Sequence, residues 1–192
     1  GVKAELFPVN TWVPEVYATA PKRVIGLLAG LISKLAVLII VRLLVLIFQQ
    51  EQATQALLLL GIAGVLTGEL AAWRARDLTR MLAFSSIGQL GMIFVAFAIP
   101  GAAGLYAGLA IALHHLLVKP ALFLLAQRWG GAVRHLAGAA AGSPLAAGLF
   151  VLFALGAAVS GRSGGEGLLY IQGLVLVISF IPRKIGLFRH RK

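Results

Sequence analysis

Long blocks of apolar residues, rather than apolar residues at a regular period, dominate this 192-residue chain. Four of the blocks reach the roughly 20 residues that a helix needs to cross about 30 Å of hydrocarbon. The blocks after the opening segment are residues 24–48, 53–72, 81–99, 102–127, 144–160 and 167–182. The last two are short, so they are either two tilted spans or two halves of one interrupted span. Because only 12% of the residues are charged and 60% are hydrophobic, a water-soluble fold is excluded.

Residues 1–21 are also apolar, but Pro8, Pro14 and Pro21 interrupt them. Proline removes a backbone donor and disfavours helix in the residue before it, so a continuous helix is not expected there. The predicted fold is an all-α integral membrane bundle of about six transmembrane helices plus this proline-broken N-terminal helix. Since the chain begins at Gly1, inside an apolar stretch and without a signal segment, we expect an internal piece of a longer polypeptide.

The net charge of +11 is explained by membrane topology. If all six blocks span, twelve loop cations share one side, and Arg162 is the loop cation opposite. The twelve are Lys22, Arg23, Arg74, Arg76, Arg80, Arg128, Arg134, Arg183, Lys184, Arg189, Arg191 and Lys192. This asymmetry predicts a cytoplasmic C-terminus, in a bacterial inner membrane or an equivalent energy-converting membrane. A single broken last span would reduce the asymmetry to seven against six. Nucleic-acid binding is not expected, because the cations flank apolar spans.

Lys34 lies near the middle of the first block, where a lysine costs about 2.5–3.5 kcal/mol on insertion scales. Gly26 and Gly30 precede it at four-residue steps, so its helix face should pack against protein. Gly64/Gly68 and Gly104/Gly108 have the same spacing, which is common in helix packing. Arg42 lies closer to the end of the block, and snorkelling to an interface explains it better than a function.

His115 and Lys119 are spaced i, i+4, so they share one helix face within the fourth block. Histidine titrates near neutrality, and a buried lysine is a second proton-exchanging group. Pro120 frees a backbone carbonyl in the preceding turn, which favours bound water or a kink. Buried but inert histidines are the alternative. A metal site is not expected, because no carboxylate lies nearby and the chain contains no cysteine.

Several other polar residues lie in or beside the apolar blocks. Lys3, Glu5, His114, Ser85 and Gln89 are candidate members of a polar pathway, with interhelical hydrogen bonding as the structural alternative for the last two. Lys3 could also look buried only because the sequence starts beside it. A charged group between the second and third blocks is interpreted as a solvated turn, with Asp77 as a helix N-cap. Its members are Glu69, Arg74, Arg76, Asp77 and Arg80.

Four linked motifs resemble the antiporter-like proton-translocating subunits of respiratory complex I, multi-subunit cation/proton antiporters and membrane-bound hydrogenases. The motifs are Gly1-Val2-Lys3 with Phe7-Pro8 to Pro21, Leu27 to Lys34, Arg76-Asp77 to Gly91, and His115 to Lys119. Their order and spacing match the family together, over roughly residues 1–160. The resemblance predicts an antiporter-like domain at 1–160 and a divergent terminal helix with a basic tail at 161–192.

The resemblance implies membership of a fold of about fourteen helices with inverted repeats and two broken helices. Lys3, Lys34, His115 and Lys119 would form its proton relay through buried water, and a glutamate on an earlier helix would pair with Lys3. The chain would be a non-redox subunit of an NADH:quinone oxidoreductase-type complex or an antiporter, working with other membrane subunits and moving protons or Na⁺. No cofactor is expected in this chain, since partner subunits would use NADH and quinone.

Some positions depart from the family pattern. Asn10 stands where a histidine is usual, Lys22-Arg23 replaces a small residue and a proline, and Ile111 stands where some members carry a histidine. The second proline-containing break is not recognisable after Gly156, although the block 144–160 should begin it. These departures support an alternative function, a non-conducting structural or assembly membrane protein that is a truncated relative of the family.

Overall fold

The computed structural model describes residues 2–47 and 51–129, and four of its helical segments are long and apolar enough to cross a membrane. These segments are Arg23–Val41, Glu51–Arg74, Leu78–Ala98 and Ala102–Gln127. They confirm the first four predicted blocks, and only the end of the first block differs by more than three residues. The predicted blocks 144–160 and 167–182, the domain boundary at 160 and the orientation of the C-terminus lie outside the described residues.

The described elements follow one another with short connections. A 3₁₀ turn at Val2–Ala4 precedes helix α1 at Val13–Thr19, and α2 at Lys22–Leu27 continues through a π-helical turn at Leu28–Ile32 into α3 at Ser33–Val41. A second π-helical turn covers Arg42–Ile47. Three long helices complete the order, namely α4 at Glu51–Arg74, α5 at Leu78–Ala98 and α6 at Ala102–Trp129.

The sharp connection between α4 and α5 depends on one carboxylate. The side chain of Asp77 accepts hydrogen bonds from the backbone N–H groups of Thr79 at 2.9 Å and Arg80 at 3.0 Å. These donors would otherwise lack partners, because the first N–H groups of a helix have none within it. The predicted N-cap at Asp77 is confirmed.

Helix α5 lies at the centre of the described bundle. In its apolar stretch 89% of the residues are buried, against 28% in α4, so α4 is peripheral and α5 is enclosed. One apolar cluster surrounds the start of α5 and includes Tyr17, Leu82 and Phe123. A second surrounds its end and includes Phe94 and Phe97. The polar residues discussed below lie between these clusters and on the faces of α5.

The glycine pairs pack closely, as their spacing predicts. A Cβ atom on Gly68 would come within 2.5 Å of the Gly88 nitrogen and 2.8 Å of the Phe84 carbonyl oxygen, so α4 and α5 touch backbone to backbone. A Cβ atom on Gly30 would come within 2.6 Å of Pro120 Cγ, which places the proline of α6 against the π-helical turn. This second contact brings the His115–Lys119 part of α6 to the helix that carries Lys34.

Candidate functional site

Glu5 anchors the first part of the polar site. It is 2% exposed, and its Oε1 atom accepts a hydrogen bond of 2.6 Å from the Tyr17 hydroxyl. The Ser33 hydroxyl lies 2.6 Å from the same atom and 2.9 Å from the Leu28 carbonyl, so its single proton can serve either acceptor. The other carboxylate oxygen, Oε2, is buried and has no hydrogen-bond partner within residues 2–47 and 51–129.

The backbone conformation of Glu5 is also unusual. Its φ of +54° lies in the left-handed region, which costs a residue with a side chain roughly 1–2 kcal/mol. The two short side-chain contacts at Oε1 hold the carboxylate in place and offset this cost. Strained backbone of this kind is concentrated at functional sites, where the surroundings impose it.

Lys34 is the second residue after the π-helical turn at Leu28–Ile32. A π turn shifts the backbone hydrogen-bond register, and such turns occur frequently at functional sites. The Lys34 ammonium donates to the carbonyl oxygen of Ala29, five residues earlier. Lys34 is only 5% exposed, and the charges of Glu5 and Lys119 are close enough to act on it. The predicted packing of this helix face against protein is therefore confirmed.

Lys119 is fully buried and crosses from α6 to α5. Its Nζ atom donates to the Ser85 hydroxyl at 3.0 Å and to the Leu82 carbonyl at 3.3 Å. Ser86, the neighbour of Ser85, instead bonds within its own helix, because its hydroxyl donates to the Leu82 carbonyl at 2.9 Å. Ser85 therefore contacts the buried ammonium, while the hydroxyl of Ser86 returns to the backbone of α5.

The two histidines differ in environment. His115 is fully buried, whereas His114 is partly exposed. Neither ring nitrogen of either histidine has a hydrogen-bond partner in the described part of the chain. A buried imidazole needs a partner for at least one ring nitrogen, so these groups point to bound water or to residues beyond those described.

The remaining predicted site residues are placed differently. Gln89 is buried on α5, but Lys3 is exposed on the 3₁₀ turn, two residues before the buried Glu5. The structure thus brings together Glu5, Lys34, His115, Lys119 and Ser85, and leaves Lys3 at the surface. Arg42 is exposed, in keeping with the interfacial interpretation.

The sequence interpretation of Glu69 as part of a solvated turn is wrong. Arg74, Arg76 and Arg80 are exposed as expected, but the Glu69 Oε2 atom is buried without a hydrogen-bond partner among the described residues. The reason is that α4 extends to Arg74 and turns residue 69 toward α5 rather than toward the connection. The position of Glu69 inside the apolar block 53–72 is the sequence feature that indicates its burial. Tyr17 and Ser33 were also missed, although Ser33 directly precedes Lys34.

Comparison with known proteins adds to this geometry. A family model described as "NADH:quinone oxidoreductase/Mrp antiporter, TM" matches residues 1–159. The chain is 35% identical over 164 residues to NADH-quinone oxidoreductase subunit N of Desulforudis audaxviator, covering 81% of this chain and 33% of that protein. It is 33% identical over 145 residues to an Na(+)/H(+) antiporter subunit of Alkalihalophilus pseudofirmus, covering 71% of this chain and 27% of that protein.

Solved structures give the same picture for the fold. The chain is similar to a chain in the structure of the Mrp complex from Dietzia sp., with a TM-score of 0.79 and 24% identity over 97% of this chain and 40% of that one. At this identity the likeness concerns the fold alone. The chain spans about a third of the length of the curated relatives it matches.

Proposed function

Since this chain belongs to the transmembrane family of NADH:quinone oxidoreductases and Mrp antiporters, we propose that it contributes a proton- or cation-conducting path to a membrane complex. The observation that carries the proposal is the burial of four ionisable groups among apolar spans. Glu5, Lys34, His115 and Lys119 are each at most 5% exposed. Ionisable groups inside a membrane are costly and mark ion or proton pathways far more often than they are accidental.

The proposed path runs from the 3₁₀ turn through α3 to α6. Lys3, exposed beside Ala4, exchanges protons with groups outside the described residues, and Glu5 provides the negative charge that accompanies Lys34. Leu116 and Pro120 of α6 pack against Gly30, and we propose that His115, the neighbour of Leu116, connects Lys34 with Lys119. Each ammonium has three donors and uses only some of them on fixed acceptors, so the others are free to exchange protons with confined water. His114 and Gln89 are accessory polar groups beside this path.

Other subunits of the membrane complex are proposed to carry out any redox chemistry. The family includes oxidoreductase and antiporter subunits, so we propose that the chain works beside other membrane subunits and that NADH and quinone, where used, bind those partners. The chain itself is proposed to carry no redox cofactor. Its buried carboxylate, amine and imidazole groups exchange protons directly, so H⁺ is the proposed cargo. Na⁺ is the alternative cargo, and the experiment below distinguishes the two ions.

The test uses the intact membrane complex, reconstituted into liposomes with a pH-sensitive dye inside. Replacing Lys34 by Met preserves the length of the side chain and removes the ammonium, so we expect proton flux per assembled complex to fall about tenfold. Leu35→Met is the control, because Leu35 is 53% exposed on the same helix. Replacing Na⁺ by K⁺ in the buffer separates H⁺ from Na⁺ transport.

Two results would contradict the proposal. If Lys34→Met lowers flux only in proportion to the amount of assembled complex, Lys34 has a packing role and the chain is a structural or assembly subunit. If Lys34→Met matches Leu35→Met in flux and assembly, the buried ammonium is not part of a conducting path.

A further inference from the structure

Glu69 carries a buried carboxylate oxygen that the path described above does not use. The residue lies inside the apolar helix α4, more than one turn before the exposed Arg74 at its end. This oxygen, Oε2, is enclosed and has no hydrogen-bond partner among residues 2–47 and 51–129. An enclosed carboxylate oxygen without a partner is costly, so its position requires an explanation.

The side chain of Glu69 lies directly across Gly88 of α5. A Cβ atom on Gly88 would come within 2.9 Å of Glu69 Cδ and 3.1 Å of Glu69 Cγ, so a side chain at position 88 would displace this carboxylate. The absence of a side chain at position 88 therefore admits the Glu69 carboxylate to the face of α5.

The Lys119 ammonium approaches the same part of α5 from α6. It contacts Ser85, which is three residues from Gly88, and residues three apart lie on one side of a helix. A negative group from α4 and a positive group from α6 therefore reach the same turn of the central helix. Glu69 and Glu5 are the described carboxylates whose negative charges act on the Lys119 ammonium.

We propose that Glu69 is the proton-exchanging partner of Lys119, which extends the path across α5 to α4. A proton moves from the Lys119 ammonium to the Glu69 carboxylate, directly or through one water molecule, and leaves a neutral amine and a neutral carboxylic acid. The pair has zero net charge before and after the step, so the transfer adds no net charge to the low-dielectric interior. The proton then leaves Glu69 to water at the exposed end of α4, because the arginines there stay charged and do not exchange protons.

This inference rests on the proposed function, and the experiment separates the two. Glu69→Gln, Lys119→Met and the double variant are compared in the reconstituted complex, with flux normalised to assembled protein. Glu51→Gln is the matched control, because Glu51 is an exposed carboxylate at the start of the same helix. We expect Glu69→Gln to lower flux about tenfold and Glu51→Gln to leave it unchanged. The double variant should be no slower than Lys119→Met alone, because coupled residues are not additive.

The conservative variant Glu69→Asp gives a readout that a purely structural role would not. It retains a carboxylate at a greater distance from Lys119, so flux should lie between the wild type and Glu69→Gln. If Glu69→Gln does not assemble, a several-fold lower flux in Glu69→Asp supports the pairing, and an unchanged flux overturns it.

Other outcomes also decide the question. If Glu69→Gln behaves like Glu51→Gln while Lys34→Met and Lys119→Met lower flux, the role of Glu69 is refuted and the proposed function survives. If the losses of Glu69→Gln and Lys119→Met multiply in the double variant, the two residues act independently and the pairing is refuted. If none of the lysine variants lowers flux, the proposed function itself fails.

Discussion

On the α4 side of α5, backbone meets backbone through glycines and Glu69 is the acidic side chain that enters the contact, whereas on the α6 side the long side chain of Lys119 crosses the gap. Gly68 and Gly91 bring the first pair of helices so close that an added methyl group at either position would collide with main-chain atoms. Lys119 and Ser85 join the second pair through a buried hydrogen bond of 3.0 Å. Both contacts belong to one enclosed helix, so the lipid environment does not account for the difference.

The comparison shows how a membrane helix can combine two tasks. Without a strong hydrophobic force between helices in lipid, close glycine packing and interhelical hydrogen bonds supply the association. The backbone contacts of Gly68 and Gly91 need no ionisable group, so they hold α4 in place independently of the charge on Glu69. The polar contact is costly to bury and is therefore the face on which function is expected.

The largest effect on the stability of the assembled complex should come from Gly68→Ala. The new Cβ atom would meet backbone atoms of α5 that cannot move aside, so we expect the helix contact to lose about 1–3 kcal/mol of stability. Gly64→Ala is the control, since its Cβ atom would lie 3.6 Å from Gly91 Cα, an ordinary contact. Thermal unfolding of the purified complex, followed by the loss of assembled protein, measures both variants.

Equal unfolding temperatures for Gly68→Ala and Gly64→Ala would show that α4 and α5 are not in backbone contact at Gly68. We also expect Gly64→Ala complexes to conduct normally, because Gly64 does not contact Lys119 or Ser85.

A smaller effect on assembly is expected from Ser85→Ala at the contact between α5 and α6, because the Leu82 carbonyl still accepts a hydrogen bond from Lys119. The variant removes the side-chain acceptor of the Lys119 ammonium, and a hydrogen bond to a charged group contributes about 1.5–3 kcal/mol. We expect proton flux to fall about tenfold, with assembly reduced to a lesser degree. Ser86→Ala serves as its partner variant, since the Ser86 hydroxyl donates to a carbonyl of its own helix.

Flux measured side by side in reconstituted complexes distinguishes the two serines. A drop of the same size in Ser86→Ala would mean that loss of any buried hydroxyl on α5 disturbs transport, and the specific role of Ser85 would be lost.

Much of the fold could be predicted from the sequence because lipid imposes a simple length rule. The blocks 53–72, 81–99 and 102–127 agree with the helices within three residues, and the cap at Asp77 follows from local backbone chemistry. The π-helical turn at Leu28–Ile32 could not be predicted, because it depends on contacts with Pro120 and on the side chains that take up its carbonyls.

The site was predictable in part. Burial of Lys34, His115 and Lys119 follows from their depth in apolar blocks, and the structure places them as expected. The prediction for Glu69 is wrong, because it relied on the nearby basic connection between α4 and α5 rather than on the position of Glu69 inside the apolar block 53–72. Whether a charged side chain near a helix end turns inward depends on the residue that faces it on the neighbouring helix. For Glu69 that residue is Gly88, which is distant in sequence. Lys3 lies exposed on the 3₁₀ turn, which the apolar residues around it in sequence do not indicate.

The most direct test of the central claim is proton flux through the reconstituted complex carrying Lys119→Met, compared with Leu117→Met. Lys119 is fully buried between α6 and α5, whereas Leu117, two residues away, is 64% exposed. We expect about a 100-fold loss of flux per assembled complex for Lys119→Met and none for Leu117→Met. Flux that is equal in the two variants, with both fully assembled, would contradict a conducting role for the buried ammonium.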